Sequence, residues 1–440
     1  MRDPEASLQF EPDRVVRHLN TALPSGHFLH SDLARQWVER GDLVSFQIHS
    51  PTLVSSRRLP FVTHPYEWTD SQLFAAAQLT LRLQQEAVDA GFDLKDASAW
   101  NVIFDGTRPI FCDLMSFQPL CHRKWWAAGQ FNRHFLYPLL LSMRRGFVAH
   151  QAFLIWRDGM PDDAARQMLG WRRFLGRHWL LMVQGSPEPV VTSQQQAPGD
   201  RVEGLAGFRS GLHSGLKWML DGVRPDRVGK STVWRDYISE RSHYDGDELE
   251  QKRQTVSRWL NGAQPQWVLD LGCNSGEFSR LAVEAGASVI AADGDHGALQ
   301  RLWREPTAGL HPLLCRLDDL AGGRGWEGRE HPGLLDRLSG KSDVVMMLAL
   351  IHHLMVSASI PLTEIARFVA RCSRRWAIVE MIEQSDVQLR TLCAQRQRTP
   401  DEFVMDRQIA AFEGSGFEVV EQVPLAGGHR RLMLLRRREG

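Results

Sequence analysis

Val268–Arg280 reads "VLDLGCNSGEFSR": an apolar run, a turn with glycines at 272 and 276, then residues that suit a helix. Such a turn serves several ligands, and its details discriminate among them. A dinucleotide site wants G-x-G-x-x-G, in which the glycines let the backbone reach a pyrophosphate at a helix N-terminus. Here the order is Gly272-Cys273-Asn274-Ser275-Gly276, followed at once by Glu277. A carboxylate in that first helical turn repels a pyrophosphate. The nucleoside-triphosphate loop needs G-K-[ST], and this stretch does not contain it. What remains is a ligand with a ribose and no phosphate. Asp270 at the end of the first strand and Asp293 at the end of the next, "SVIAAD", supply acceptors there. A carboxylate at the second position suits a ribose diol, because it can accept from both hydroxyls.

Working outward, the chain after Asp226 alternates strand and helix. "QWVLDLG" predicts a strand, "EFSRLAVEAG" a helix closed by Gly286, "SVIAAD" a strand and "HGALQRLWRE" a helix. "HPLLCRL" and "SDVVMMLAL" predict strands, "IPLTEIARFVARC" a helix and "RWAIVEMI" a strand. Near-continuous apolar strands between helices indicate a parallel sheet covered on both faces. The end differs, because "FEVVEQVPL" and "RRLMLLRRR" flank a Gly-Gly turn. Two strands across a short turn make an antiparallel hairpin. The expected fold is α/β, a Rossmann-like parallel sheet finished by an antiparallel C-terminal hairpin.

That outline, with "VLDLGCNSGEFS", resembles class I methyltransferases and their S-adenosylmethionine (SAM) motif. The resemblance implies SAM as cofactor. It also implies that Gly272 and Gly276 make room for the methionine portion, that Asn274 lies in the cofactor turn, and that Asp293 takes the ribose. The strand "HPLLCRLDDL" would bring Leu317 and Asp318 to the adenine edge, and backbone around Leu348 and Ala349 would lie near the amino-acid end.

Beside that cofactor, "DVVMMLALIHHL" ends in His352 and His353. A histidine with a near-neutral pKa can take a proton from a hydroxyl or amine as it attacks the sulfonium methyl. His353 is the favoured catalytic candidate and His352 the second. Glu380, at the end of "RWAIVEMI", sits on the ligand-bearing edge and can orient a histidine or bind an amine. Glu383 and Asp386 read as solvated charges. Upstream, "STVWRDYISERSHYDGDELEQKR" offers Tyr237, Tyr244 and Lys252 as covering residues, with Lys252 able to pair the methionine carboxylate. No metal is expected, since adjacent histidines at a strand end point apart and no third ligand presents itself.

The N-terminal half holds a second pattern, "LKDASAWNVIFDGTRPIFCDLMSF". Asp96, Asn101 and Asp113, with a hairpin at "DGT", have the spacing of a kinase catalytic loop and its metal-binding aspartate. There is no G-x-G-x-x-G loop and no V-A-I-K-type strand before it. We therefore expect an α+β kinase-like remnant used for structure or substrate binding. Taken whole, "HPYEWTDSQL", "LKDASAWNVIF", "GQFNRHFLYPLLL", "GLHSGL", "TVWRDY", "VLDLGCNSGEFS" and "LALIHHL" resemble a bacterial family of two-part SAM-dependent methyltransferases, some of them nodulation-associated.

The chain's 440 residues favour two domains. "QGSPEPVVTSQQQAPGDR" reads as linker. The expected division is 1–190, a linker at 191–225, and a SAM domain at 226–440. Formal net charge is zero, which disfavours a nucleic-acid partner. Six scattered cysteines without a C-x-x-C pair fit a reducing compartment. With no apolar signal segment and no membrane-length run, a cytoplasmic protein acting on a small-molecule or carrier-bound acceptor is expected. Three other functions stay open: a SAM-consuming enzyme that cleaves or cyclises the aminocarboxypropyl arm, a phosphotransferase working through Asp96, Asn101 and Asp113, and a non-catalytic SAM-binding module.

Overall fold

The computed structural model describes residues 5–179, 181, 202–225, 246–425 and 427–438. Tyr237, Tyr244 and the proline- and glutamine-rich stretch 184–201 lie outside these. The chain divides into two compact units, Met1–Gly229 and Lys230–Gly440. Among the described residues no helix is long and apolar enough to cross a membrane.

The first unit opens with β1 (Ala6–Phe10), β2 (Arg14–Leu19), α1 (Asp32–Arg40), β3 (Phe46–Ser50) and β4 (Leu53–Arg57). Its four strands form an antiparallel sheet ordered β1-β2-β4-β3. Helix α2 (Asp70–Asp89) follows. Thr69 Oγ1 accepts from Gln72 N–H, and Gln72 Oε1 accepts in return from Thr69 N–H. This capping box satisfies two donors at a helix start that is itself buried. Four short strands come next: β5 (Phe92–Leu94), β6 (Val102–Asp105), β7 (Arg108–Phe111) and β8 (Phe117–Pro119). β6 and β7 form the hairpin expected at "DGT", and β5 pairs β8 around it. After α3 (Tyr137–Arg145) comes α4 (Val202–Asp221), inside the segment expected to be linker. Its glycines lower helix propensity, but packing overrides propensity. Leu216 and Leu220 are buried, and Arg209 reaches Asp93 at 2.7 Å with both side chains out of solvent.

The second unit is one seven-stranded sheet. It runs α5 (Gly246–Ala263), β9 (Trp267–Leu271), α6 (Glu277–Glu284), β10 (Ser288–Asp293), α7 (His296–Arg304), β11 (Leu310–Leu314) and β12 (Ser342–Met347). Then follow α8 (Leu362–Cys372), β13 (Ser373–Ile382), α9 (Val387–Gln395), α10 (Met405–Gly414), β14 (Phe417–Pro424) and β15 (Arg430–Arg437). The spatial order is β11-β10-β9-β12-β13-β15-β14. The first five strands are parallel, while β15 runs antiparallel to both β13 and β14. That is the strand order of the class I methyltransferase fold. The chain reverses its direction of travel across the sheet at β9, so β10 and β12 leave it on opposite sides. Such a switch point opens a crevice at the carboxyl ends of the strands. Beneath it a core of Val268, Val289, Val344, Met346, Ile378 and Leu432 is closed over by Val256 and Leu260 of α5.

Candidate functional site

Two features lie at the carboxyl edge of the second unit: the glycine turn after β9, and a cavity whose histidines follow the neighbouring strand β12. In the turn, Asp293 is fixed by backbone donors. Asn274 N–H donates to Oδ2 and Asp295 N–H to Oδ1, each at 2.7 Å. An ionised carboxylate has about four lone-pair sites, so acceptor capacity remains on both oxygens. Burial raises the Asp293 pKa, and the backbone donors offset part of that. Asn274 adopts φ +50°, and its buried Oδ1 has no hydrogen-bond partner. An orphaned acceptor of this kind costs free energy unless something donates to it. Gly272 adopts φ +73°, and a Cβ there would meet Leu350 Cδ1 at 3.2 Å, so its missing side chain lets Leu350 pack close.

Other turn residues have different duties from those expected. Gly276 also serves packing: a Cβ there would lie 2.0 Å from Leu302 Cδ1 on α7, so the glycine admits that side chain. Asp270 is 2% exposed and accepts from the Ser279 hydroxyl of α6 at 2.6 Å. Burial pushes its pKa up to about 6. Strand β11 ends at Leu314, so Leu317 and Asp318 lie in the turn beyond the edge. The Asp318 carboxylate is taken by Arg316 at 2.6 Å and held below the usual carboxylate range by that bond. Leu348 follows β12 and is buried in the core below the site.

The cavity, of about 640 Å³, is lined by Glu248, His352, His353, Asp386, His429 and Arg430 among others. Its floor is a buried ion-pair network. Lys252 Nζ donates to Glu380 Oε2 at 2.5 Å, and Arg430 reaches Glu380 Oε1 at 3.1 Å, Asp386 Oδ2 at 2.8 Å and Gln388 Oε1 at 2.9 Å. This corrects three expectations. Lys252 meets Glu380 within the protein, where pairing with a cofactor carboxylate was expected. Glu380 is taken up by Lys252 and Arg430; burial alone would raise its pKa, but these two cations outweigh that and hold it low. Asp386 is no solvated charge: it is 7% exposed, pairs Arg430 and caps α9 by accepting from Leu389 N–H.

The histidines are brought to the cavity, with ring centroids 4.2 Å apart. Their titration differs from the near-neutral value expected. Burial, with Arg430 nearby, lowers His353 to about 4, and burial beside His353 holds His352 well below the usual range. Both are therefore neutral at neutral pH and weak as bases. Glu248, Arg430, Gln388 and His429 were not found from the sequence. They lie more than a hundred residues apart in part, and the packing of α5 together with the β13–β15 pairing joins them.

The N-terminal pattern also assembles. Asn101 Nδ2 donates to the Asp96 carbonyl at 3.2 Å and to Ser116 Oγ at 3.4 Å. Ser98 N–H donates to Asp96 Oδ1, while Met115 N–H and the Ser116 hydroxyl donate to the two oxygens of Asp113. Burial, with Asp113 nearby, raises the Asp96 pKa. Among the described residues no group of three or more His, Cys, Asp or Glu could hold a metal ion.

No family model matches the chain. It is 30% identical over 461 residues to the nodulation protein NoeA of Rhizobium meliloti (strain 1021), spanning 100% of this chain and 95% of the relative. Among solved structures it is similar to magnesium protoporphyrin IX methyltransferase of Synechocystis PCC 6803 with bound S-adenosylhomocysteine (17% identity, 48% of this chain, 90% of that one, TM-score 0.31). It is also similar to the N-methyltransferase NodS of Bradyrhizobium japonicum WM9 (11% identity, 44% and 99%, TM-score 0.33). At such TM-scores these likenesses decide nothing about the chemistry.

Proposed function

This chain belongs to the family of the nodulation protein NoeA, and we propose that its C-terminal unit is a SAM-dependent methyltransferase acting on a small-molecule or carrier-bound acceptor. The observation that supports this most is the state of the glycine turn. Asp293 is held by two backbone N–H groups with acceptor capacity to spare, and beside it the buried Asn274 Oδ1 has no partner. Both stand at the switch point of a sheet in the methyltransferase order. The residues fit SAM: Asp293 for the ribose diol, and the unpartnered Asn274 Oδ1 for a neighbouring donor. Bound there, SAM supplies an electrophilic methyl group. The chain's part is to position an acceptor in the cavity next to it and keep bulk water out.

The N-terminal unit is proposed as a non-catalytic, kinase-like lobe, because its aspartates are occupied by donors from their own loop. Calorimetric titration of the full chain with SAM, followed by mass spectrometry of nucleosides after incubation with SAM alone, tests the reading. Binding with SAM left intact is expected. Steady release of methylthioadenosine would instead identify an enzyme that cleaves or cyclises the aminocarboxypropyl arm. Absence of binding would overturn the proposal.

A further inference from the structure

Among the described residues lining the cavity, Glu248 is the one carboxylate that the ion-pair network does not use. It lies in the first turn of α5, is 8% exposed, and faces the space beside Gly427, where a Cβ would come within 3.9 Å of Oε2. Among the described residues its carboxylate makes no hydrogen bond or ion pair. The neighbouring carboxylates differ: Glu380 is paired with Lys252 and Arg430, and Asp386 with Arg430. Arg430, close enough to act on Glu248 through its charge, directs its hydrogen bonds to Asp386, Glu380 and Gln388. A nearly buried carboxylate that faces a cavity and lacks a donor is costly unless a ligand supplies one.

The other groups in the cavity narrow the ligand. A hydroxyl acceptor must lose its proton to a base as it attacks, and the best base has a pKa near the working pH. The cavity offers His352 and His353, both neutral and weakly basic, His429, whose Nδ1 is 2.7 Å from the Ser385 hydroxyl, and Glu248, whose pKa burial raises; a hydroxyl would have to spend that carboxylate as its base, whereas an amine pairs with it. A thiolate or carboxylate acceptor would be repelled by Glu248. An amine needs no base in the attacking step itself, because once its ammonium form has shed a proton it carries its own lone pair.

We propose that the acceptor is an amine, held with its N–H groups toward Glu248 and methylated on that nitrogen. This rests on the SAM reading above. The amine enters as ammonium, sheds one proton to water at the cavity mouth, and attacks through the freed lone pair. The N–C bond forms as the C–S bond breaks, and the bonding pair stays on sulfur. Charge is conserved: the positive charge leaves the sulfonium, which becomes the neutral thioether S-adenosylhomocysteine, and appears on the methylated nitrogen. Glu248 faces the place where that charge develops, which is where a fixed opposite charge aids most.

The test titrates benzylamine and benzyl alcohol into the full chain by calorimetry, with and without S-adenosylhomocysteine, in the wild type, Glu248→Gln and Glu248→Asp. The amine should bind in preference to the alcohol. Glu248→Gln should weaken it about ten- to hundredfold, the loss expected for a charge-assisted hydrogen bond. Glu248→Asp should restore part of the affinity, and S-adenosylhomocysteine should bind all three proteins alike, which also reports that they are folded. With SAM present, N-methylbenzylamine and no benzyl methyl ether is expected. No amine binding, equal affinity for alcohol and amine, or an unchanged Glu248→Gln titration would each overturn the inference. Failure of the wild type to bind S-adenosylhomocysteine would sink the SAM reading instead, and the titration without it would still test Glu248.

Discussion

The glycine turn of the second unit and the Asp96–Asp113 loop of the first make an instructive pair. Each was found by spacing, each brings aspartates and an asparagine together after a strand, and each places them at low exposure. They differ in what their polar atoms do. In the turn, the protein supplies one donor to each Asp293 oxygen and none to Asn274 Oδ1. In the loop, the donors are turned inward: Ser98 serves Asp96, Met115 and Ser116 serve Asp113, and the Asn101 amide is spent on the Asp96 carbonyl and Ser116. Asp113 receives one donor on each oxygen, as Asp293 does; what sets the turn apart is the buried Asn274 Oδ1, which has no partner. Spacing identifies a motif, whereas unspent hydrogen-bonding capacity identifies a site.

The largest effect that would break this comparison lies in the turn's framework. Gly276→Ala puts a methyl 2.0 Å from Leu302 Cδ1 at φ +82°. Overpacking and the left-handed backbone together should cost about 2–5 kcal/mol. Denaturant unfolding should show that loss in the second unit's transition, whether or not SAM is present. A stable variant with weakened SAM binding would instead return Gly276 to the ligand. Next in size is Asp293→Asn, which keeps one acceptor and loses the charge. SAM affinity should fall by about 1.5–3 kcal/mol, the usual worth of hydrogen bonds to a charged group. Calorimetry showing unchanged affinity would remove Asp293 from the ribose.

How much of this was legible beforehand follows from range. The parallel strands and the hairpin were readable because each is a local apolar run, and "VLDLGCNSGEFS" is local too. Strand β11 ended three residues earlier than "HPLLCRL" suggested, because Cys315 N–H bonds the Asp293 carbonyl and the chain then turns. Leu317 and Asp318 therefore lie in the loop beyond the strand's carboxyl end and not on the strand itself. The partners of Glu380 were not legible at all. Lys252 is 128 residues away and Arg430 fifty, and nothing local distinguishes a carboxylate that is paired from one that is open. Glu248 was overlooked for the same reason: its significance is the partner it lacks.

A smaller effect belongs to the closed loop. Asp113→Asn keeps an acceptor for Met115 N–H and weakens the bond from the Ser116 hydroxyl, now 2.5 Å to Oδ2. About 1 kcal/mol of stability should be lost from the first unit, and magnesium-dependent ATP binding should be absent before and after the change. ATP binding in the wild type that vanishes in the variant would show the loop to be an open site, and the contrast with the glycine turn would fail.

The smallest effect separates the turn from the cavity within one sheet edge by sign. His353 falls from 6.5 to about 4 on folding, through burial and Arg430. The unfolded chain therefore binds a proton between those values and the folded one does not, so acidification favours unfolding. Asp270 behaves oppositely, rising from 3.8 to about 6 through burial, so the folded chain takes the proton first and acidification favours folding. Between about pH 7.5 and about pH 5.5 each group should change stability by about 1 kcal/mol, in opposite directions. The wild type alone would hide this. Compared with His353→Gln, the wild type should lose ground on acidification; compared with Asp270→Asn, it should gain. Denaturant midpoints at the two pH values measure both differences. If His353→Gln left the pH dependence unchanged, the histidine would be titrating in the folded protein as it does in water. It would then be a serviceable base, and a hydroxyl acceptor would return to contention.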